Sequence, residues 1–310
     1  MSGEFIERLR SEGERRYHDR HRYHVLMHEG KLSRVQLQHW VLNRYYYQTR
    51  IPIKDALILS KSEDPAFRRM WIRRIRDHDG ETEGEGGLAM WLRLADGVGV
   101  DREEVASCRS VLPGVRAACD SYVELVRSRS LLEAVASSLT EFFAPDLMSK
   151  RVLAWEKHYP WVDPAMLAYF RSRVTRARRD AEEAVEFVKR HAVTRELQDL
   201  CVAALIRKAE ILWALLDSVY AAYFSPRLTS KARLRYDRKA DKTMLLYPEK
   251  GLVLNATAAD VARLCTGEHT VGAIVEQLAA KYSQDAATVQ REVMALLGSL
   301  ADRGLVQDTP

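Results

Sequence analysis

From Phe5 to about Phe224 the apolar residues recur at every third or fourth position, with short polar connections and no stretch that alternates in twos. That is the period of a helix face, so it commits most of the chain to an all-α bundle. One helix breaks the rule that an inner face is oily. Across NRYYYQTRIPIKD, Asn43 to Asp55, the inward stripe runs Leu37, Trp40, Val41, Arg44, Gln48, Ile51, Asp55 and Ile58. A guanidinium, an amide and a carboxylate interrupt it. A buried unpaired charge is costly, so such a stripe is resolved by internal pairing or by an anionic ligand. Pro52 removes the amide that would reach the Gln48 carbonyl, so a bend is expected beside these groups.

Other helices repeat the anomaly. In WIRRIRDHDG, Phe67, Trp71, Arg74 and His78 share a face, and in LAYFRSRV, Met166, Tyr169, Phe170, Arg173 and Ala177 do. Lys208 lies between Cys201, Leu205 and Leu212 on the last long helix. Glu141 of SSLTEFFAP sits on the small-residue side with Ala134 and Ser138, where it can approach a neighbouring helix and pair with an arginine. One inward cation can reach back to water along its own stem. Arg44, Arg74, Arg173 and Lys208 come from four helices, and converging cations imply a multiply anionic ligand. The run YHDRHRYH supplies His18, His21, His24 and His28. His24 and His28 have metal-pair spacing, but no HExxH and no nearby Cys or carboxylate completes a ligand set, so proton transfer suits the cluster better.

Ser33 is placed to cap the helix of the opening stretch, Asp64-Pro65 to start the next, and Asp101 with Glu104 to cap another. Helices are expected over roughly 115–128, 131–144, 164–191 and 194–224. At Ser225-Pro226 the character changes. Ala232 to Asp237, Lys242 to Tyr247 and Leu252 to Asn255 alternate in twos, and three short helices follow. The expected division is a helical bundle over 1–225, a linker over 226–231 and a small winged-helix-like α+β domain (strand hairpin plus three helices) over 232–310.

The last helix offsets Arg291 and Arg303 with Glu292 and Asp302, a poor major-groove reader, so peptide capture by strand addition fits the tail better than DNA. Net charge is only +5 over 310 residues, and both signs alternate along the helices. The charged start lacks a secretory run, no apolar run reaches the roughly 18 residues of a membrane span, and Cys108, Cys119, Cys201 and Cys265 form no CxxC pair. A cytoplasmic protein with reduced thiols is expected.

The motifs NRYYYQTRIPIKD, RRIRDHDG, SSLTEFFAP and HYPWVDP, in this order, resemble the pyrroloquinoline-quinone synthase family (PqqC) over about Phe5 to Phe224. The tail, with LLYPEKGLVLNATAADVARLC and a terminal GLV, resembles the small peptide-binding protein of the same pathway (PqqD). The chain is thus similar to a fusion of the two. The resemblance implies a haem-oxygenase-like bundle that forms a homodimer and uses no metal or organic cofactor. It implies ring closure and eight-electron oxidation of a quinoid tricarboxylic precursor (AHQQ) to pyrroloquinoline quinone, with O2 as co-substrate and release of H2O2. For the tail it implies binding of the precursor peptide PqqA and its presentation to the radical enzyme PqqE, with no nucleic acid or membrane partner.

Carried over by motif, the resemblance assigns Tyr17, Arg44, Gln48, Lys54, Arg74, Arg151 and Lys208 to substrate binding. The same resemblance implies that His78, Tyr169 and Arg173 form the polar side of an oxygen pocket and that His18, Tyr122 and Glu141 are candidates for proton transfer. Two departures stand out. Met148 occupies a position where the family commonly has histidine, and Arg22-Tyr23-His24 replaces the usual proline-tyrosine-histidine. Methionine moves no proton, so the first departure implies poorer late oxidation steps. Alternatives are a non-catalytic or partial-oxidation binding protein of the same pathway, a metal-dependent oxygenase on this fold, and a thiaminase-like hydrolase. Tyr169, Arg173 and Arg176 stand where a di-iron relative needs ligands, and no cysteine lies among the motifs.

Overall fold

The computed structural model of the chain describes residues 2–238, 241–248 and 250–309. It contains two compact units that divide between Val219 and Tyr220. The first comprises α1 (Ser2–Arg16), α2 (Arg22–His28), α3 (Arg34–Ser60), α4 (Pro65–Asp79), α5 (Gly86–Val98), α6 (Arg102–Ser107), α7 (Pro113–Ser128), α8 (Leu131–Ser137), α9 (Ala144–His158), α10 (Ala168–His191) and most of α11 (Arg195–Tyr223).

α3 is the central element, flanked by α4, α5 and α7. It starts where expected: the Ser33 hydroxyl accepts from the Gln36 amide, and the Gln36 side chain answers on the Ser33 amide. The helix continues unbroken through Pro52. Asp64 caps α4 through the amides of Ala66 and Phe67. Trp40, fully buried, packs its ring 5.5–6.3 Å from those of Trp91, Trp155 and Phe170, which locks α3 to α5, α9 and α10.

The expected single helix over 131–144 is instead split. α8 ends at Ser137, Ser138–Phe143 forms a 3-10 turn, and α9 begins at Ala144. The cause is Pro145, which lacks the amide that would bond back to Glu141. A new helix starts there, with proline in its first turn. The tight turn, packed against α10, carries Glu141.

The second unit holds β1 (Ser225–Leu228), β2 (Arg233–Asp237), β3 (Lys242–Tyr247), β4 (Lys250–Leu254), α12 (Ala256–Leu264), α13 (Val271–Tyr282), α14 (Ala286–Asp302) and β5 (Val306–Thr309). β2, β3 and β4 form an antiparallel sheet, with Leu245 opposite both Leu234 and Leu252. Residues 226–228, expected as linker, belong instead to β1, which pairs antiparallel with β5. Four residues that include a proline are too short to show alternation, and their partner strand lies some 80 residues on. Asn255, Thr270 and Asp285 cap the three helices, and Leu245, Ile274, Val293, Leu297 and Leu300 form the core. No helix among the described residues is long and apolar enough to cross a membrane.

Candidate functional site

The misfit residues of α3 meet those of the other helices around a small internal cavity of about 50 Å³. Tyr17, His18, Arg44, Gln48, His78, Glu141, Tyr169 and Arg173 all line it, eight of the residues singled out in the sequence. Lys54, Arg74, Tyr122, Arg151 and Lys208 lie outside the lining and support it from behind. Tyr47 and Thr140 are wall residues given no role from the sequence, and Met148, which stands at the family's histidine position, also lines the wall.

Internal pairing satisfies part of the α3 stripe. Asp55 accepts from Lys54 Nζ at 2.7 Å and from Trp71 Nε1 at 2.8 Å. Burial lowers the pKa of the Lys54 ammonium, but Asp55 outweighs it and raises the group overall. Gln48 Oε1 accepts from the Tyr169 hydroxyl at 2.7 Å, which fixes the amide with its NH2 free to donate.

Arg173 is paired twice, to Glu141 at 2.7 Å and to Asp180 at 3.3 Å. Burial opposes its charge, and the two carboxylates raise its pKa beyond the ordinary value. Asp180 was not foreseen, although it lies seven residues after Arg173 on the same face of α10; following the stripe two more turns would have found it. Its carbonyl accepts from Arg74, and Arg179 bonds its carboxylate. Burial raises the Asp180 pKa, yet Arg74, Arg173 and Arg179 together bring it down to about 2. Arg173 therefore has two acid partners, whereas Arg74 donates to a backbone carbonyl and stacks 3.8 Å from the Trp71 ring centre.

Three more cations lie nearby. Among the described residues Arg44, Arg151 and Lys208, like Arg74, have no carboxylate within salt-bridge distance. Arg44 stacks 3.9 Å from the Tyr47 ring centre, and one of its buried guanidinium nitrogens has no hydrogen-bond partner. Lys208 donates to the Tyr47 hydroxyl at 2.8 Å, with the Tyr122 ring 3.7 Å from its Nζ. Arg151 donates to His24 Nε2 at 3.1 Å and lies 4.0 Å from Met148 Sδ. Burial first, then Arg44, pulls Arg151 down to about 9. Such groups favour an anion that supplies the missing charge.

The histidines divide by their partners. His24 Nδ1 lies 3.0 Å from the His18 carbonyl, so it carries the proton, and Nε2 accepts from Arg151. With both nitrogens committed, His24 orients Arg151 and does not relay protons. His78 Nδ1 lies 3.1 Å from the Arg74 carbonyl, which leaves Nε2 with a lone pair for the cavity. Burial, then Arg173, lowers His78 to about 3. Burial, then Arg44 and Arg151, also lowers His18 well below 6.5, so it too is a neutral acceptor. Tyr122 faces Lys208 and Lys54 rather than the cavity, so its expected proton-transfer role acquires no direct contact. Among the described residues no three His, Cys, Asp or Glu side chains converge as metal ligands.

A larger cleft of about 450 Å³ lies within the second unit, between α12, α13 and α14. Its walls are mostly apolar, with Glu292 the one charged side chain, so volume alone does not identify the chemical site.

The bundle and its polar interior define the class as haem-oxygenase-like. The first unit matches a domain of unknown function with a heme oxygenase-like fold from Shewanella denitrificans, with a TM-score of 0.58 at 16% identity, over 71% of this chain and 92% of that one. It also matches a TenA homologue from Pseudomonas syringae pv. tomato, with a TM-score of 0.56 at 15% identity, over 69% of this chain and 92% of that one. These identities bear on the fold alone. Residues 6–218 match the TENA/THI-4/PQQC family and residues 242–306 match coenzyme PQQ synthesis protein D (PqqD). The chain belongs to the TENA/THI-4/PQQC family and carries a PqqD domain after the bundle.

Full-length similarity extends to the bifunctional coenzyme PQQ synthesis protein C/D of Methylorubrum extorquens, 39% identical over 96% of this chain and 93% of the relative. Over the bundle, the chain is 53% identical to the pyrroloquinoline-quinone synthase of Xanthomonas campestris pv. campestris, covering 70% of this chain and 87% of the relative.

Proposed function

We propose that the bundle is a pyrroloquinoline-quinone synthase that closes the ring of a quinoid tricarboxylic acid and oxidises it with O2, releasing H2O2, without a metal or organic cofactor. The observation that carries this is the trio Arg44, half-buried, and Arg151 and Lys208, buried, cations from three helices with no carboxylate within salt-bridge distance among the described residues. A substrate with several carboxylates supplies what they lack. The names of the relatives support a role in the synthesis of pyrroloquinoline quinone.

In this scheme Arg44 holds a carboxylate at the cavity wall, and Arg151 and Lys208, behind the lining, supply positive charge that stabilises what develops on the ring. His18 and the Nε2 of His78 accept protons as C–H bonds are oxidised. Arg173 presents the N–H groups that meet reduced oxygen, with Glu141 and Asp180 keeping the guanidinium charged, and Tyr169, whose proton goes to Gln48, presents its oxygen as an acceptor. Gln48 sets the direction of the Tyr169 hydroxyl, Tyr17 walls the cavity, and Lys54 and Arg74 brace α3 and α10. A cavity of about 50 Å³ is far below the several hundred that a ligand of this size fills, so the bundle must open to admit it. Glu141 lines both this cavity and an outer cleft of about 400 Å³, which makes the 138–143 turn the natural route.

The second unit, in this proposal, binds the precursor peptide by strand addition at its sheet edge and presents it to the pathway's radical enzyme. The protein acts as a cytoplasmic homodimer, in keeping with four unpaired cysteines. Met148 in the cavity wall favours a second reading, a bundle that stops at a partly oxidised product.

Metal-depleted protein mixed with the quinoid precursor and O2 decides among these. The proposal expects peroxide and the full quinone chromophore; an arrested chromophore supports the second reading, and strict dependence on added iron overturns the cofactorless one. Titration of the precursor peptide into the full chain tests the tail, and absence of binding removes the peptide role.

A further inference from the structure

Tyr47 has no role in the scheme above, yet it lines the cavity and touches two of the unpaired cations. Its ring stacks on Arg44 at 3.9 Å, and its oxygen lies 2.8 Å from Lys208 Nζ. Lys208 is 1% exposed, and this phenol is its one hydrogen-bond partner among the described residues; the faces of Tyr122 and Tyr47 also lie against its ammonium. The phenol proton in turn finds no acceptor among the described residues while Lys208 donates. An O–H in that position is left for whatever occupies the cavity.

The hydrogen bond can run either way. When Lys208 is an ammonium, it donates to the phenol oxygen and the phenol O–H donates to a ligand. When Lys208 is an amine, it accepts the phenol proton and the phenol oxygen is free to accept one from the ligand. We propose that Tyr47 and Lys208 form a two-residue proton relay opening on the cavity, with Tyr47 as a catalytic residue and Lys208 as the proton store behind it. The proposal rests on the synthase reading.

In the relay a proton leaves the bound quinoid acid for the Tyr47 oxygen as the Tyr47 proton passes to the Lys208 amine. The electron pair of the broken bond stays on the ligand and Tyr47 ends neutral, as it began. Lys208 becomes an ammonium, so one positive charge appears beside one new negative charge. O2 accepts the electrons in the later oxidation, as the proposed reaction already requires.

The surroundings suit both states. Burial, then Arg44, holds the Lys208 ammonium well below an ordinary lysine, so the amine is accessible. Burial holds the Tyr47 phenol well above its ordinary value, so phenolate is not a resting form. The groups that face Lys208 are Arg44 and Lys54 from α3, Cys119 and Tyr122 from α7, and Glu141 from the 138–143 turn. A limb of the pH profile that disappears when either Tyr47 or Lys208 is replaced is therefore assignable to the pair rather than to these neighbours.

Tyr47→Phe removes the hydroxyl and keeps the ring on Arg44. The test compares kcat, KM and the pH profile of kcat/KM for wild type, Tyr47→Phe, Lys208→Met and the double variant, with melting temperature and anaerobic substrate binding as controls for folding. The relay predicts a fall in kcat of about 10²-fold or more for each single variant, KM within about threefold, and loss of one limb of the profile. The double variant should be no slower than the slower single. A Tyr47→Phe enzyme within about threefold of wild type, with both limbs intact, overturns the relay, as do losses that multiply in the double variant. Absence of wild-type turnover sinks the synthase reading and the relay with it; wild-type turnover with an unimpaired Tyr47→Phe sinks the relay alone.

Discussion

The bundle encloses Lys54, Arg74, Arg151, Arg173 and Lys208 at 6% exposure or less, together with buried His18, His24, His28 and His78. Among the described residues the second unit buries no charged side chain and no histidine; its interior is Leu245, Ile274, Val293, Leu297, Leu300 and similar groups. One interior is organised for stability and the other tolerates large desolvation costs for chemistry. The contrast can be tested by perturbations that should affect one unit and spare the other.

Acid should separate them most. His28 and His78 are held at about 3, by burial first and then by Arg151 and Arg173 respectively, against an ordinary 6.5. Below 6.5 the unfolded chain binds protons that the native bundle refuses, so stability falls as pH drops toward 3. Each group removes about 1.4 kcal/mol per pH unit in that window. Asp180, at about 2 against 3.8, adds a further loss of about 2 kcal/mol as pH falls from 4 to 2. All six tryptophans lie in the bundle, so their fluorescence reports that unit alone. It should show unfolding between pH 6 and 4 while the strand hairpin stays folded, and His78→Asn should make the pH dependence shallower. Simultaneous loss of both units would break the comparison.

Arg173→Met should lower kcat by about 10²–10³-fold and cost about 3–5 kcal/mol in urea unfolding, because Glu141 and Asp180 are left without their shared partner. Leu300→Ala, at a fully buried site of the second unit, should cost that unit about 2–5 kcal/mol with bundle turnover retained. A collapse of turnover in Leu300→Ala would show that the two interiors are not separable in this way.

The smallest effect should be the most diagnostic for geometry. Asparagine at position 24 keeps the donor to the His18 carbonyl but loses the acceptor for Arg151; glutamine does the reverse. His24→Gln should stay within about threefold of wild type, and His24→Asn should lose about tenfold, as expected for one hydrogen bond to a charged group. Equal losses would remove Arg151 positioning as the role of His24.

The sequence disclosed the bundle because a 3.6-residue period over long helices survives any tertiary detail. It disclosed Arg44, Gln48, His78, Tyr169 and Arg173 because a polar residue on an oily stripe is costly unless it is paired or meets a ligand. The break at Ser138–Phe143 escaped, since it depends on one missing amide at Pro145, and β1 and β5 escaped because they are short and far apart in the chain. Tyr47 escaped on different grounds. Among Tyr45, Tyr46 and Tyr47 nothing local marks one ring as special; only Lys208, 161 residues away, does so. The pairing of His24 with Arg151 is likewise a contact between helices, which periodicity cannot carry.

The central claim is that the unpaired cations of the bundle hold a polyanionic quinone. Calorimetric titration of pyrroloquinoline quinone into the anaerobic full-length protein tests it directly, with Arg44→Met in parallel. One molecule bound per chain, at least about tenfold weaker in Arg44→Met, is the predicted result. Equal affinity in the two proteins, or no binding to either, would contradict it.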